Sequence, residues 1–367
     1  MRAGIQLLGL MVLLTLAAGA CRAGERDREA SQATTTSGPS PSVQAQPSPT
    51  GQAQPSATTQ LSPTVQAQAS PTAQPSPIVQ AQPSATAQPP PTEQPQPTVT
   101  AATGAGYPPE TSVQEIVSGG QTRQYRLHVP PSYQSGNPTA LVLNLHGLNE
   151  TAAQQEGLSG MSAKADEAGF IVAYPEGIDQ TWHVGPGAAG AADMQFIRDL
   201  IAELQSRLTI DSHRIYAAGI SNGAQMSNLL GCNAADIVAA IGPVSGGYSP
   251  LQDCAPGRPV PVVGFHGTDD QLIPYEGQGH LLMPAREWAA AWAARNGCSP
   301  TPAVTYQGVE VTGETWSGCD EGADVTFYTI EGGGHGWPGA GSGAGVTTKE
   351  IDATDIIWEF FAAHPMP

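Results

Sequence analysis

Two glycines flank Ser221 in the first pattern of this sequence that could support a chemical reaction. The motif is Gly219-x-Ser221-x-Gly223. It lies between residues 214–218, which are predicted to form a strand, and residues 224–230, which are predicted to form a helix. A sharp strand-to-helix turn exposes a serine hydroxyl and needs small neighbours on both sides. This position favours a nucleophile over the alternative, a glycine-rich loop whose serine caps a helix.

A serine nucleophile needs a base to accept its proton and a carboxylate to orient that base. Downstream of Ser221, a strand predicted over 260–265 ends at His266-Gly267-Thr268-Asp269-Asp270, and either aspartate could be the orienting acid. The next strand, predicted over 325–330, is followed by a glycine-rich loop that contains His335. In folds with this turn the order along the chain is serine, acid, histidine. Of the later histidines, His280, His335 and His364, only His335 lies in a glycine-rich loop directly after a strand, so it is the predicted base.

The intermediate of acyl transfer carries an oxyanion that preorganised N–H donors stabilise. The amide of Asn222, which directly follows the candidate nucleophile, is the first predicted donor. The second is the amide of Leu148, because His146-Gly147-Leu148-Asn149 follows the strand predicted over 140–145. We therefore expect both amides to face the same reacting carbonyl group.

The elements that must position these residues alternate between strand-like and helix-like patterns. Predicted strands cover 123–129, 140–145, 170–174, 214–218, 238–244, 260–265 and 325–330, and predicted helices cover 193–208, 224–230 and 349–362. This alternation predicts an α/β fold with a mostly parallel central sheet that helices cover on both faces. Residues 107–367 are about 260 residues, which is enough for one such domain.

The N-terminus carries features of export. An apolar run over 5–18 follows Arg2 and ends in small residues, which predicts a signal peptide over 1–20. Ala18-Gly19-Ala20-Cys21 resembles a bacterial lipobox, so we predict lipidation of Cys21 and an anchor region over 21–30. Simple secretion and an unprocessed membrane anchor are the alternatives. Because no second long apolar run follows, no transmembrane helix is predicted.

Residues 31–106 repeat variants of Gln-Ala-Gln-Pro-Ser-Pro-Thr, contain no aromatic residue and carry Glu93 as their only charge. Such a segment has too little apolar surface to form a core. Its regularly spaced prolines favour an extended, polyproline-like chain. We predict a disordered stalk that separates the folded domain from its point of attachment.

The chain has 14 basic and 32 acidic residues and a formal net charge of -18. Phosphate groups would be repelled, which argues against nucleic acid as a partner and against a basic patch on anionic lipid. Membrane attachment is therefore expected only through the lipid at Cys21. No metal-ligand motif is present in the sequence, and serine chemistry needs no cofactor, so none is predicted.

Four cysteines remain once Cys21 is set aside, namely Cys232, Cys254, Cys298 and Cys319. An even number suits an oxidising compartment, which agrees with an extracytoplasmic location. Of the three possible pairings we predict Cys232 with Cys254 and Cys298 with Cys319, because these bridges close short loops. A zinc site is disfavoured, because no two of these cysteines form a Cys-x-x-Cys pair.

Several motifs together resemble the polyhydroxybutyrate depolymerase and feruloyl esterase branch of the α/β-hydrolases. They are Leu145-His146-Gly147, Gly219-Ile220-Ser221-Asn222-Gly223, His266-Gly267-Thr268-x-Asp270 with Ile273-Pro274-Tyr275, Asn296-Gly297-Cys298, and Gly333-Gly334-His335-Gly336-Trp337-Pro338-Gly339. The resemblance covers the domain from Tyr107 onward. It implies an α/β-hydrolase fold and secreted carboxylic-ester hydrolysis through an acyl-enzyme. It also implies Asp270 rather than Asp269 as the acid, and a Cys298–Cys319 bridge.

The resemblance does not select one ester, since members of the branch act on polyhydroxyalkanoate, on feruloyl or acetyl groups of plant polysaccharide, or on small esters. We expect Trp182, Tyr275 and Trp337 to bind substrate, because aromatic faces suit both a ferulate ring and an aliphatic chain. Core packing is the alternative for each. The sequence departs from the branch at Trp182-His183, where Trp-Asn is usual, and before Phe196, where two adjacent acids are common.

Two other functions are compatible with the same fold. One is a non-catalytic surface module that uses a hydrolase fold for binding, and the other is a peptidase of related fold. The complete set of Ser221, Asp270 and His335 argues against the first of these. Hydrolysis of a simple ester distinguishes an esterase from a binding module.

Overall fold

The computed structural model describes residues 111–250, 254–341 and 343–367. The predicted signal peptide, Cys21 and the predicted stalk lie outside these residues. The predicted start of the domain at residue 107 lies outside them as well. Within the described ranges, no helix combines the length and the apolar character needed to cross a membrane.

The described residues form an alternating series of strands and helices. The strands are β1 (Thr111–Ser118), β2 (Gln121–His128), β3 (Thr139–Leu145), β4 (Ile171–Pro175), β5 (Ile210–Ile220), β6 (Ala240–Val244), β7 (Val262–Gly267), β8 (Ala303–Gln307), β9 (Val311–Trp316), β10 (Val325–Ile330), β11 (His335–Gly336) and β12 (Gly343–Ala344). The helices are α1 (Ala152–Ser159), α2 (Met161–Ala168), α3 (Ala188–Arg207), α4 (Asn222–Asn233), α5 (Ala285–Arg295) and α6 (Ala353–Ala363).

One sheet of ten strands has the order β1-β2-β4-β3-β5-β6-β7-β10-β9-β8. The six central strands, from β4 to β10 in this order, pair in parallel. Antiparallel strands flank them, with β1 and β2 on one side and β9 and β8 on the other. The centre of the sheet is therefore parallel, which confirms the predicted fold class and aligns the carboxyl ends of the strands that precede Ser221, Asp270 and His335.

Alternating side chains of the central strands enter two separate cores. Leu143 of β3 belongs to the same buried cluster as Phe196 of α3 and Trp288 of α5. Its neighbour Val142 belongs to a second buried cluster with Met161 of α2. Because successive side chains of a strand point to opposite faces, these clusters lie on opposite sides of the sheet. Helices therefore cover both faces, as the alternation of elements predicted.

The closing helix begins later than the sequence pattern predicted, at Ala353 rather than residue 349. The side chain of Asp352 accepts hydrogen bonds from the amides of Thr354 and Asp355 and caps the helix. The carboxylate of Glu350 instead accepts from backbone amides of the turn between β8 and β9, at 2.9 Å from Val309 N. These two carboxylates satisfy different backbone segments, so the helix cannot extend back through them.

Two disulfide bridges are present, Cys232–Cys254 and Cys298–Cys319. The first links the end of α4 to the segment before β7, and the second links the segment after α5 to the segment after β9. These are the two pairings that close short loops. The predicted pairing is therefore confirmed.

Reduction of both bridges is expected to lower the melting temperature by roughly 10 °C or more. Bridges that span 22 and 21 residues restrict the unfolded chain and contribute about 3 kcal/mol each. Thermal melts with and without reductant measure the effect. Thiol titration of the non-reduced, denatured protein is the control, and four free thiols from the domain would contradict the bridges.

Candidate active site

Ser221 occupies a strained turn between β5, which ends at Ile220, and α4, which begins at Asn222. Its backbone angles are φ 56° and ψ -116°, a conformation that L-residues rarely adopt. A Cβ on Gly219 would lie 2.7 Å from the Leu145 carbonyl oxygen, and a Cβ on Gly223 would overlap the same carbonyl. Both glycines are therefore needed for the turn to pack against the end of β3.

Asp270 lies in the loop after β7, and His335 begins β11, in the segment that follows β10, the parallel neighbour of β7. Oδ2 of Asp270 is 2.8 Å from Nδ1 of His335. Both residues are buried, with exposed fractions of 3% and 8%. With Nδ1 bound to the carboxylate, Nε2 is the nitrogen of His335 that remains for proton transfer.

The carboxylate of Asp270 is fixed on both oxygens. Oδ1 accepts hydrogen bonds from the amides of Leu272 at 2.9 Å and Ile273 at 2.8 Å. On the other side, Nε2 of His266 lies 3.4 Å from Oδ2 and 2.8 Å from the Ile273 carbonyl. Burial acts to raise the pKa of Asp270, but hydrogen bonds from His266, His335 and Ile273 outweigh it and hold the pKa well below the usual range. The carboxylate therefore stays ionised beside His335.

Ser221 and His335 open into one cavity of about 800 Å³. Its lining residues are Gly147, Leu148, Asn149, Glu150, Gln154, Gly157, Leu158, Ile220, Ser221, Leu272, Ile273, His335, Gly343 and Ala344. Within the described residues the Ser221 hydroxyl makes no hydrogen bond, so its proton is not held by another group. Aliphatic side chains form much of the wall, and Leu148 and Leu272 are 53% and 62% exposed.

Glu150 contributes the one carboxylate among the described residues that line this cavity. Its Oε2 accepts a hydrogen bond from the amide of Gly147 at 2.9 Å. The Glu150 side chain thereby holds the loop that carries Leu148. It also places a negative charge in the cavity, which favours uncharged over anionic ligands.

The amides of Leu148 and Asn222 are available to a ligand, because neither donates a hydrogen bond to another described residue. The Leu148 amide belongs to the loop after β3, and the Asn222 amide is at the first position of α4. Both residues adjoin the candidate nucleophile, since Leu148 lines the cavity of Ser221 and Asn222 follows Ser221 in the chain. This arrangement suits an oxyanion hole.

The side chain of Asn222 joins the strained turn to a loop after β4. Its Oδ1 accepts from the Trp182 amide at 2.7 Å, and its Nδ2 donates to the Trp182 carbonyl at 3.0 Å. The indole Nε1 of Trp182 donates to the carbonyl of His146 at 3.1 Å. The two loops that carry the candidate oxyanion donors are therefore cross-linked through Trp182.

A buried ion pair anchors that cross-link. Oδ1 of Asp193 is 3.0 Å from the Arg123 guanidinium, and Oδ2 accepts from the amide of His183 at 2.9 Å. Asp193 is fully buried, at 0% exposed. Desolvation lowers the pKa of Arg123, while Asp193 opposes this shift. The carboxylate of Asp193 therefore binds Arg123 through one oxygen and the His183 amide through the other.

The structure places Trp182 and Trp337 away from the cavity of Ser221, so their role in binding substrate stays a prediction. Each is 1% exposed, and neither is among the residues that line the Ser221 cavity. The indole of Trp337 donates to Thr354 Oγ1 at 2.9 Å, within the core beneath α6. Tyr275 is half-buried, bonded to Thr329 Oγ1 at 2.9 Å, and also absent from the cavity lining. Trp337 is buried beneath α6 and Trp182 against His146, so segments that are distant in the sequence cover both indoles.

Asn222→Ala is expected to lower kcat by roughly ten- to a hundredfold with little change in KM. The substitution keeps the Asn222 amide but removes the side chain that aligns it, and small misplacements of catalytic groups have effects of this size. Steady-state kinetics with p-nitrophenyl acetate and a thermal melt provide the measurement and its control. A kcat equal to that of the wild type would show that the cross-link to Trp182 does not position the amide.

Sequence reasoning assigned no role to His266, Asp193 or Glu150. His266 could have been found from its spacing, because a histidine four residues before the candidate acid follows the same strand. Asp193 had a weaker signal, namely its position as a lone acid on the apolar side of the predicted helix over 193–208. Glu150 carried no signal in the sequence.

Residues 123–250 match the family model described as Esterase PHB depolymerase. Feruloyl esterase B from Piromyces equi is 35% identical over 201 residues, which are 49% of this chain and 37% of that protein. Feruloyl esterase C from Emericella nidulans is 28% identical over 186 residues, which are 49% of this chain and 64% of that protein. The chain therefore spans less than two thirds of the length of these relatives.

An acetyl xylan esterase from Aspergillus awamori has a similar fold, with a TM-score of 0.51 and 17% identity. The similarity covers 68% of this chain and 99% of that structure. The matched family region runs from β2 to the segment after β6 and includes Ser221 and both candidate oxyanion donors. In its serine turn and in the sequence of the matched region, the described domain is similar to the polyhydroxybutyrate depolymerase and feruloyl esterase branch of the α/β-hydrolase superfamily.

Proposed function

We propose that this protein is a serine carboxylic-ester hydrolase in which Ser221 is the nucleophile, His335 the base and Asp270 the orienting acid. The observation that carries the proposal is the Asp270–His335 contact of 2.8 Å at the cavity that Ser221 lines. The unpaired amides of Leu148 and Asn222 beside that cavity add support. The similarity to the esterase branch supports this chemistry.

In the first half of the reaction, the Ser221 hydroxyl attacks the ester carbonyl while Nε2 of His335 accepts its proton. Asp270 keeps the proton of Nδ1 in place and stabilises the imidazolium. The Leu148 and Asn222 amides donate hydrogen bonds to the carbonyl oxygen as it gains negative charge. His335 then returns the proton to the departing alcohol, and an acyl-enzyme ester on Ser221 remains.

In the second half, water attacks the acyl-enzyme and gives one proton to Nε2 of His335. The same two amides stabilise the second oxyanion. Collapse of this intermediate breaks the bond to Ser221 Oγ, which recovers its proton from His335. The products are one alcohol and one carboxylic acid, and the free acid ionises in water.

The proposed substrates are the ester bonds of polyhydroxyalkanoate chains, or the feruloyl and acetyl esters of polysaccharide. Leu148, Leu158, Leu272 and Ile273 form an aliphatic wall that suits a short or aliphatic acyl group. Glu150 disfavours acyl or alcohol groups that carry negative charge. Relatives named for feruloyl esters and a fold neighbour named for acetyl xylan support the polysaccharide alternative.

A substrate panel tests the proposal. The whole protein is expected to hydrolyse p-nitrophenyl acetate and p-nitrophenyl butyrate, and methyl ferulate, acetylated xylan and polyhydroxybutyrate film then identify the preferred ester. Absence of hydrolysis with every member of the panel, from protein that melts cooperatively, would favour a non-catalytic binding module. Cleavage of peptides without cleavage of esters would favour a peptidase.

We also propose that the protein acts outside the cytoplasm, held by a lipid at Cys21 and a stalk over 31–106. The two disulfide bridges support an oxidising compartment. Mass spectrometry of the mature N-terminus and fractionation of a Cys21→Ala variant test the anchor. An unmodified N-terminus, or a variant that stays in the membrane fraction, would contradict it.

A further inference from the structure

We propose that a second cavity, along the helix that follows Ser221, binds an uncharged, hydroxyl-bearing part of the substrate, such as a sugar unit. The inference rests on the proposed esterase function for its role in catalysis. This cavity, here called the α4 cavity, has a volume of about 560 Å³. It lies between residues 184–191, the first three turns of α4 and residues 247–250. None of its described lining residues carries a charged side chain.

Asn228 presents a hydrogen-bond donor of fixed orientation to the α4 cavity. Its Oδ1 is 3.0 Å from the indole Nε1 of Trp288 and 3.0 Å from that of Trp292. An indole N–H can only donate, so the atom between the two rings must be the amide oxygen. The NH2 group therefore points away from both rings, and it donates to no described residue. The NH2 nitrogen is not among the fully buried polar atoms that lack a partner. Because Asn228 lines the cavity, this NH2 group is open to a ligand there.

The α4 cavity is coupled to the candidate oxyanion hole. Gln225 donates from Nε2 to the Gly247 carbonyl in the cavity wall at 2.7 Å. Its Oε1 accepts from Nδ2 of Asn222 at 3.3 Å. Asn228 follows Ser221 by seven residues, which is roughly 10 Å along a helix. A substrate with its ester at Ser221 and several linked units can therefore reach this site, whereas a small ester cannot.

The chemistry of the lining selects the class of ligand. Met194 and Leu229 supply apolar surface, and Asn228 supplies an uncharged donor. A purely hydrocarbon ligand would leave the Asn228 NH2 group without water or a partner, which is unfavourable. An anion would find no cation among the described lining residues. A sugar unit satisfies both conditions, because it has apolar C–H faces and oxygen atoms that accept hydrogen bonds.

Asn228→Asp is the discriminating substitution. It is isosteric, and one carboxylate oxygen can still accept from both indoles, while the other replaces the donor that faces the cavity. Xylotetraose binding to the whole protein, measured by calorimetry, is expected to weaken by about fivefold or more. Hydrolysis of p-nitrophenyl acetate should stay within about twofold of wild type. A thermal melt checks that the variant is folded.

A second substitution fills the cavity without adding charge. Ala191 lines the α4 cavity, and its neighbour Ala192 is exposed on the same helix turn without lining it. Ala191→Trp is expected to weaken xylotetraose binding and to raise KM for acetylated xylotetraose, whereas the matched control Ala192→Trp should leave both unchanged. Equal effects of the two substitutions would overturn the assignment of the cavity.

The outcomes separate the subsite from the proposed activity. Because xylotetraose binding needs no catalysis, a wild-type protein that binds it through Asn228 but hydrolyses no ester would retain the site and refute the esterase. A wild-type protein that hydrolyses p-nitrophenyl acetate but does not bind xylotetraose would overturn the subsite alone. Binding that Asn228→Asp and Ala191→Trp both leave unchanged would do the same.

Discussion

Ser221→Ala is expected to reduce the hydrolysis of p-nitrophenyl acetate by at least about a thousandfold, because the protein loses the nucleophile that forms the acyl-enzyme. The fold should be unaffected, since alanine keeps the Cβ and tolerates the φ of 56° as serine does. Initial rates of the purified variant and its thermal melt are the measurements. A fluorophosphonate probe should add its mass to the wild-type protein at Ser221 and leave the variant unlabelled.

Ser227→Ala is the matched control for this substitution. Ser227 lies on the same helix, and its buried hydroxyl donates to the Ala224 carbonyl. Loss of that hydrogen bond can lower stability slightly, but it removes no group from the Ser221 cavity. Residual activity of Ser221→Ala above about a thousandth of the wild-type rate, at equal purity, would assign the nucleophile elsewhere.

Asp270→Asn is expected to lower kcat by about a thousand- to ten-thousandfold. Its amide oxygen can still accept from Leu272 and Ile273, so the NH2 group would face Nδ1 of His335. Nδ1 of His335 would then have to accept a hydrogen bond, and the ring proton would lie on Nε2. A protonated Nε2 cannot accept the proton of Ser221, so the base is lost. Steady-state kinetics across neutral and mildly alkaline pH measure the loss.

Asp269→Asn provides the neighbouring control, with an expected kcat within about twofold of wild type. The side chain of Asp269 is exposed. Its backbone amide donates to the Gly333 carbonyl at 2.9 Å, so the contact with the segment before His335 does not involve the carboxylate. The reverse ranking of the two variants would transfer the role of the acid to Asp269. Equal losses would indicate that the loop, and not one carboxylate, positions His335.

The pKa of Asp270 also bears on behaviour in acid. Its folded-state pKa is depressed despite burial, because His266, His335 and Ile273 donate to the carboxylate. A carboxylate whose pKa is lower in the folded than in the unfolded protein stabilises the fold. This stabilisation is complete above the unfolded-state pKa of about 4, and it is lost as the pH falls from there through the folded-state pKa. The Asp270–His335 contact is therefore expected to persist throughout the pH range in which esterase assays are made.

Much of the candidate site was predictable because its signals are local. The turn at Ser221 depends on small residues at fixed positions and on a strand followed by a helix, and both leave a pattern in the sequence. The histidine at 335 and the acid pair at 269–270 follow predicted strands, where parallel sheets collect functional groups. Choosing Asp270 over Asp269 relied on family resemblance, because both aspartates have the same chemistry and nearly the same position.

The aromatic residues show where local signals end. Trp337 adjoins the motif of His335 in the chain, and both it and Trp182 were predicted to bind substrate, yet each is buried by segments that are distant in the sequence. The outer strands β8 and β9 were also missed, because β8 is mostly exposed and lacks a buried face. The burial of the two tryptophans does not follow from residue type, since a tryptophan suits a core as well as a pocket.

The sequence by itself determined the fold class, the candidate nucleophile and base, and the two bridges, because each depends on periodicity, turn chemistry or loop length along the chain. Tertiary structure alone decided that Asp193 pairs with Arg123, that Trp182 joins the two loops of the candidate oxyanion donors, and that Asn228 accepts from Trp288 and Trp292. These contacts depend on which surfaces of α3, α4 and α5 meet on one face of the sheet. Packing between such distant segments is set by the shape of the whole core, and no local pattern encodes it.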